Sequence, residues 1–297
     1  MDFKAILMGL VFALFWASAF TSTRIIVLAA PPLTALVIRF ALSAVIGIMI
    51  ARAMGQSWHL SRGEWRVLIA FGIMQNALYL GLNWVAMQTV EASAAAIIAS
   101  MMPLLVALSG WLWLGERPRP AAMLGLIMGV IGVAIVMSVR LRHGLDPLGT
   151  VLCVLAAVAL TLATLVVRGT GGSRNMLMIV ALQMAVGSAA LALPAAFMEW
   201  GMPIDWSWRL VLAFLYTVAA PGLAATFIWF LLVNRIGAVR AATFHFLSPI
   251  FGVTIAALLL DERFGISDVV GAGIVAAGIL LVQLSKVTPP ATGPAQR

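Results

Sequence analysis

The residues that could do chemistry in this sequence are polar and aromatic side chains set within long apolar runs. One run carries Gln75, Tyr79 and Asn83 at intervals of four residues, with Asn76 beside them. This spacing places side chains on one face of an α-helix. Amide and phenol groups on such a face can bind a small solute, or they can join neighbouring helices through hydrogen bonds. Both interpretations remain open from the spacing alone.

A second candidate group surrounds the histidine at position 245. His245 and Ser248 are three residues apart, and Pro249 follows directly. The imidazole could bind a solute, titrate, or form a hydrogen bond with a neighbouring group. Three further residues within apolar runs are candidates for solute contact: Trp16, Gln183 and Phe244.

Enzymatic chemistry is disfavoured because its usual residue patterns are missing from the sequence. It contains no His-Glu-x-x-His motif, no paired carboxylates within an apolar run and no nucleophile with a base at helical spacing. The single cysteine, Cys153, excludes an intramolecular disulfide and a thiolate metal cluster. We therefore predict a protein that is not an enzyme, with no catalytic residues, no cofactor and no bound metal.

The composition indicates that these polar residues lie within a lipid bilayer. Hydrophobic residues make up 63% of the chain and charged residues only 9%, whereas a soluble domain has about 45–50% and about 25%. The net charge is +8, but the basic residues are scattered between apolar runs. That distribution is typical of membrane topology and argues against nucleic-acid binding.

Apolar runs and the breaks between them predict ten membrane-spanning helices. Each run has about 20 residues, enough to cross a hydrocarbon core of ~30 Å. The first run resembles a signal peptide with small residues at Ala17-Ser18-Ala19, but it continues to Leu28, so we interpret it as a retained helix. The spans are expected at 4–27, 33–53, 65–88, 92–114, 120–139, 147–167, 175–198, 209–233, 238–260 and 265–285.

The sequence repeats itself at an offset of 146 residues. The matching residues are Pro103 with Pro249, Glu116-Arg117 with Glu262-Arg263, Gly125 with Gly271, and Gly132 with Gly278. Because each half has five spans, the second half must enter the membrane from the opposite side. Inverted repeats around a central cavity are typical of transporters. We predict an all-α membrane protein with repeats at 1–143 and 144–285 and a disordered cytoplasmic tail at 286–297.

Prolines and glycines within the spans predict specific packing. Pro103 and Pro249 should each kink a helix, either as a static bend or as a gating point. Small residues allow helix backbones to approach closely. Two glycine stripes are expected, one from Gly125, Gly129 and Gly132 and the other from Gly271, Gly273 and Gly278.

The distribution of basic residues predicts the orientation. With the N-terminus in the cytoplasm, twelve Lys and Arg residues fall inside and six outside. One of those six, Arg39, falls within a predicted span. The excess on the inside predicts that both termini are cytoplasmic.

Several of these residues carry a family resemblance. Phe15-Trp16-Ala17-Ser18-Ala19-Phe20, the mid-span prolines and the Leu-x-Leu-x-Glu-Arg endings of spans four and nine resemble the EamA-type drug/metabolite transporter superfamily. The chain is most similar to the YddG-type aromatic amino-acid exporters of bacteria. The resemblance implies a ten-helix carrier with a central cavity that exports aromatic and other neutral amino acids across the inner membrane. We expect it to act as a monomer.

Two other functions remain open at this point. The same fold could export a broad range of drugs or metabolites, and a membrane-embedded enzyme or scaffold is the alternative from another class. No Asp or Glu lies well inside a span. This absence favours downhill flux, or coupling through His245, over a mechanism driven by an intramembrane carboxylate.

Overall fold

The computed structural model describes residues 3–115, 118–142, 144, 146–166, 175–236, 241, 244–262 and 265–285. All regular secondary structure among these residues is helical. Nine of the described helices are long and apolar enough to cross a membrane, and Phe244–Leu260 is a shorter apolar helix. These helices are α1 (Phe3–Ala29), α2 (Pro32–Ala53), α3 (Arg62–Ala86), α4 (Ala92–Trp113), α5 (Pro120–Val139), α6 (Pro147–Val166), α7 (Met176–Met198), α8 (Trp208–Val233), α9 (Phe244–Leu260) and α10 (Ile266–Leu284).

The predicted all-α membrane fold is therefore confirmed. The Glu116-Arg117 pair, Arg263 and the tail at 286–297 lie outside the described residues, so what was predicted for them stays a prediction. Cys153 is buried and free.

The packing of the helices follows a pseudo-two-fold relation. Helix α1 packs on α8 and α9, and α6 packs in the same way on α3 and α4. Helix α2 packs against α7, and α5 packs against α10. If each helix is replaced by its equivalent in the other repeat, five places away along the chain, the contacts of α1 become those of α6. The pairs α2–α7 and α5–α10 remain the same pairs. Since five crossings reverse the direction of the chain, the two halves are inverted repeats.

Two helices contain a π-helical segment that the sequence analysis did not predict. Residues Gly72–Leu80 form one within α3, and Val218–Ala224 form the other within α8. The two segments begin 146 residues apart, at equivalent positions of the two repeats. In α8 the segment includes Pro221, which has no N–H to donate to a regular ladder. Such segments occur frequently at functional sites.

The two predicted proline kinks are helix breaks in the structure. Helix α4 consists of Ala92–Ala99 and Met102–Leu114, and Pro103 lies in the first turn of the second part. The described part of α9 consists of the 3₁₀ turn Phe244–Leu247 and the α-helix Ser248–Leu260, with Pro249 in the first turn of the α-helix. A proline in the first turn removes an N–H that has no intrahelical partner there. The interruption therefore comes before each proline.

Side chains cap helix ends across the two repeats. Glu199, which follows α7, accepts hydrogen bonds from the N–H groups of Leu33 at 2.9 Å and Thr34 at 2.7 Å, at the start of α2. At the opposite ends of this helix pair, the N–H of Met178 donates to Oε1 of Gln56 at 3.0 Å. These contacts fix the α2–α7 pair at both ends, because they satisfy N–H groups that have no intrahelical partner.

Glycines allow α5 and α10 to cross in backbone contact. A Cβ atom on Gly278 would lie 2.6 Å from the carbonyl oxygen of Gly125, and one on Gly132 would lie 2.8 Å from that of Gly271. The predicted stripe on α5 is thus confirmed at these positions. The prediction for Gly273 is wrong: it is exposed, and a Cβ there meets no described atom within 4 Å. The α10 stripe follows a seven-residue spacing, two helical turns, which leaves residue 273 on another face.

Candidate solute-binding site

Three aromatic rings surround the histidine of α9. The centroid of the His245 ring lies 5.2 Å from Phe12, 5.6 Å from Trp16 and 5.5 Å from Trp229. Phe12 and Trp16 lie one turn apart on α1 and meet the imidazole edge-on, at 88° and 89°. We call Phe12, Trp16, Trp229 and His245 the aromatic cluster. Sequence reasoning identified Trp16 and His245 but missed the other two, because apolar rings are common in any membrane helix.

Phe244 lies in a different environment from His245. A Cβ atom on Gly9 of α1 would lie 2.3 Å from the Phe244 ring. Ala5 and Leu232 pack in the same small apolar group. The structure therefore gives Phe244 a packing role between α1, α8 and α9, next to the aromatic cluster but not within it.

The polar residues of α3 differ in burial. Asn76, Tyr79 and Asn83 are buried, whereas Gln75 is only half-buried. Gln75, Asn76 and Tyr79 lie within the π-helical segment, and Asn83 follows it. The amide nitrogen of Asn76 donates to the backbone carbonyl of Gln183 at 2.9 Å. Asn76 thus joins α3 to α7, as the alternative interpretation proposed.

Several buried polar atoms face the interior without a hydrogen-bond partner among the described residues. They are Oγ1 of Thr21, Nε of Arg39, Oγ of Ser43, Nδ2 of Asn83, Oε1 of Gln183 and Oγ of Ser248. Buried polar atoms are almost always hydrogen-bonded. A concentration of exceptions on five helices of a membrane bundle is typical of a path for water or solute. Three of these residues were predicted as candidates: Asn83, Gln183 and Ser248.

Arg39 of α2 is a functional candidate that sequence reasoning missed. Its side chain is 6% exposed, and its guanidinium lies 5.3 Å from the ring centroid of Phe40 and 5.7 Å from that of Trp84. The signal was present in the sequence, since a lone arginine within an apolar run is unusual. From the sequence, Arg39 was considered only as one of the six basic residues assigned to the outside.

Hydrogen bonds between α1 and α8 lie between the aromatic cluster and the surroundings of Arg39. The hydroxyls of Ser18 and Tyr216 lie 2.6 Å apart, and those of Ser22 and Thr217 lie 2.8 Å apart. Thr217 adjoins the π-helical segment of α8, which packs on α2. Helix α1 therefore leads from the aromatic cluster to the part of α8 that faces Arg39.

Hydrogen bonds join several helix ends at one end of the bundle. Glu262, after α9, accepts from the N–H groups of Ala92 at 2.7 Å and Ser93 at 3.1 Å, at the start of α4. Arg24 of α1 donates to the backbone carbonyl of Met87 at the end of α3. Four helices are thus held together at this end.

A further contact at the same end involves Asp146. The hydroxyl of Thr89 donates to its carboxylate at 2.7 Å, and the N–H of Gly149 donates at 3.0 Å. These hydrogen bonds hold the pKa of Asp146 below its ordinary value, because they favour the charged carboxylate. The contact ties the α3–α4 connection to the start of α6.

Comparison with known proteins points to one family. A sequence model described as the EamA-like transporter family matches residues 3–138 and again residues 147–284. The uncharacterized transporter YvbV of Bacillus subtilis (strain 168) is 25% identical over 252 residues, which is 85% of this chain and 82% of that protein. Protein PecM of Dickeya dadantii (strain 3937) is 22% identical over 270 residues, 90% of this chain and 88% of that protein.

Two further similarities bear on specificity and fold. The aromatic amino acid exporter YddG of Ancylobacter novellus is 29% identical over 140 residues, 46% of this chain and 47% of that protein. A solved crystal structure superposes with a TM-score of 0.68 at 20% sequence identity, covering 94% of this chain and 97% of that chain. At this level of identity, the likeness shows the fold alone.

Proposed function

Because the chain belongs to the EamA-like transporter family, we propose that this membrane transporter exports aromatic and other neutral amino acids by alternating access. The observation that carries the proposal is the aromatic cluster around His245. Membership in a transporter family and the transporter relatives exclude the enzyme alternative. The partial similarity to an exporter named for aromatic amino acids supports the substrate class.

The aromatic cluster suits the side chain of an aromatic amino acid. Aromatic rings prefer edge-to-face and offset contacts with one another at centroid distances of about 4.5–7 Å. The ring centroids of Trp16 and Trp229 lie 5.6 Å and 5.5 Å from that of the imidazole, and the two rings come from different helices. A solute ring that enters between α1, α8 and α9 replaces contacts that these rings make with each other.

The polar ends of an amino acid need hydrogen-bonding groups in the same bundle. Solute sites combine apolar walls with a few placed polar groups. The unpartnered atoms of Asn83, Gln183 and Ser248 supply amide and hydroxyl groups for this purpose. They come from α3, α7 and α9, so both repeats contribute to binding.

Alternating access follows from the two inverted repeats. Exchange of the two halves converts a conformation that is closed at one end of the bundle into one that is closed at the other. The contacts of Glu262 and Arg24 close the end at which α4 begins. The breaks before Pro103 and Pro249 lie at equivalent positions of α4 and α9 and provide the bending points. The functional unit is a single chain.

The proposed location is the bacterial inner membrane, with both termini in the cytoplasm. In a Cys153→Ser background, we expect Ser173→Cys, between α6 and α7, to react with a membrane-impermeant maleimide only from the cytoplasmic side. Met202→Cys, between α7 and α8, should react only from outside and serves as the matched control. Labelling of residue 173 from outside would overturn this orientation.

Flux measurements test the proposed function. Purified protein in liposomes should move labelled phenylalanine and tryptophan, and an imposed pH gradient shows whether protons are coupled. Empty liposomes give the background rate. Absence of amino-acid flux, together with flux of another small organic solute, would refute the proposed substrate class but not the transporter family.

A broad drug or metabolite exporter is the second candidate function. The aromatic cluster favours it as well, because flat aromatic walls attract amphipathic organic cations through cation–π contacts. A cationic dye in the same liposomes separates the two proposals. Dye flux that is faster than phenylalanine flux, together with competition between the two solutes, supports the broad exporter. Flux of the amino acids alone supports the first proposal.

A further inference from the structure

A buried positive charge on α2 is not balanced by the protein around it. Arg39 lies seven residues into α2, about 10 Å along the helix from Pro32. Its Nε atom has no hydrogen-bond partner among the described residues. No described carboxylate is near enough to act on its charge. Arginine stays protonated in proteins, so the guanidinium keeps its charge in this place.

Extension to the membrane surface does not explain the position of the Arg39 side chain. A long arginine in a membrane helix can extend to the interface and stay hydrated. Arg39 instead is 6% exposed and lies against the rings of Phe40 and Trp84. Contacts with aromatic faces offset only part of the cost of burying a cation, which amounts to several kcal/mol without a counter-charge. The site therefore favours an anion.

The surroundings of Arg39 contain a second donor without a described partner. Ser43 lies one turn further along α2, and its hydroxyl has no described partner. A Cβ atom on Gly222 would lie 3.7 Å from Nη2 of Arg39, 3.6 Å from Oγ of Ser43 and 3.0 Å from the carbonyl oxygen of Thr217. Both donors therefore lie against the same glycine of the π-helical segment of α8.

The carboxylate that contacts the start of α2 already has partners. Glu199 binds the N–H groups of Leu33 and Thr34 and the hydroxyl of Thr34. It therefore caps the start of the helix and is occupied there. A counter-charge for Arg39 must come from elsewhere.

We infer that Arg39, together with Ser43, binds the carboxylate of the solute that this protein carries, at the place where both donors lie against Gly222. A guanidinium binds a carboxylate through two parallel N–H···O hydrogen bonds, which a point-charge amine cannot reproduce. The inference rests on the proposed transport function, but it does not depend on the aromatic specificity. It restricts the solutes to molecules that bear a carboxylate.

A pair of probes that differ only in charge tests this inference. The probes are 3-phenylpropionate and 3-phenylpropanamide, and binding to the purified protein in nanodiscs is measured by isothermal titration calorimetry. The native protein should bind the carboxylate at least about tenfold more tightly than the amide, as expected for a charged hydrogen-bonded pair. In Arg39→Gln the two dissociation constants should differ by less than about twofold.

A matched control comes from the same helix. Arg52 also lies over an aromatic ring, 4.9 Å from the centroid of Trp58, but it is exposed at the other end of α2. Arg52→Gln should keep the full preference for the carboxylate. Gly222→Ala, which keeps the charge and places a methyl group against both donors, should lower the preference and provides the readout if Arg39→Gln does not fold.

Each outcome of these binding measurements supports or overturns the proposed carboxylate site. Equal binding of the two probes by the native protein, no binding of the two probes or of butyrate, or an unchanged preference in folded Arg39→Gln or in Gly222→Ala would overturn the inference. Equal competition by chloride would also overturn it in favour of a simple anion site. Binding of butyrate but not of aromatic carboxylates would support the carboxylate site and refute the aromatic specificity of the proposed function.

Discussion

Replacing Gly278 with valine is expected to separate α5 from α10 and to prevent recovery of a stable, monodisperse protein. A Cβ atom at this position would lie 2.6 Å from the carbonyl oxygen of Gly125 and 3.0 Å from the backbone nitrogen of Gly129. Backbone atoms cannot rotate away as a flexible side chain can. Overpacking costs about 1–3 kcal/mol or more, and this crossing joins the last helices of the two repeats.

A second glycine-to-valine substitution on α10 serves as the control. Gly273→Val adds the same side chain at an exposed position where no described atom lies within 4 Å of a Cβ. Its yield and its unfolding temperature in detergent should match those of the native protein. If Gly278→Val behaves like Gly273→Val, the close crossing of α5 and α10 is not needed for stability.

Replacing His245 with alanine is expected to lower phenylalanine flux at low concentration by about tenfold while the protein stays folded. The substitution removes the ring that contacts Phe12, Trp16 and Trp229 together. A solute ring in the aromatic cluster would also lose its contact with the imidazole; an aromatic contact contributes about 0.5–1.5 kcal/mol, and about 1.4 kcal/mol corresponds to tenfold in apparent affinity. The loss should therefore appear mainly as a higher KM in liposome flux.

The control for this variant is the exposed histidine of the α2–α3 connection. His59 hydrogen-bonds only locally, to Ser57, so His59→Ala should leave the flux unchanged. A folded His245→Ala protein with native KM and native maximal rate would remove the aromatic cluster from the binding site. The proposed function would then lose the observation that carries it.

The sequence alone was enough to predict the membrane class, the ten spans and the inverted repeat. These properties depend on long apolar runs and on a pattern of Pro, Gly and Glu repeated 146 residues later. Such signals are local or strictly periodic, and lipid imposes them on every helix that crosses a bilayer. It was also enough to select Trp16 and His245, because tryptophan and histidine are conspicuous within apolar segments.

Only the tertiary structure decided which of the candidates lie together. It brought Phe12 and Trp229 to His245, directed Asn76 to a backbone carbonyl on α7, and placed Arg39 beyond the reach of any described carboxylate. Contacts of this kind join residues that are far apart in the sequence. No spacing rule along one helix describes them.

The helix geometry itself was also decided at the tertiary level. The π-helical segments of α3 and α8 interrupt the regular α-helical spacing, and the segment in α8 places Gly222 against Arg39 and Ser43. Periodic patterns assume 3.6 residues per turn and fail where a turn is widened. The sequence therefore determined which helices exist and how they repeat, while packing between helices decided what each buried polar group faces.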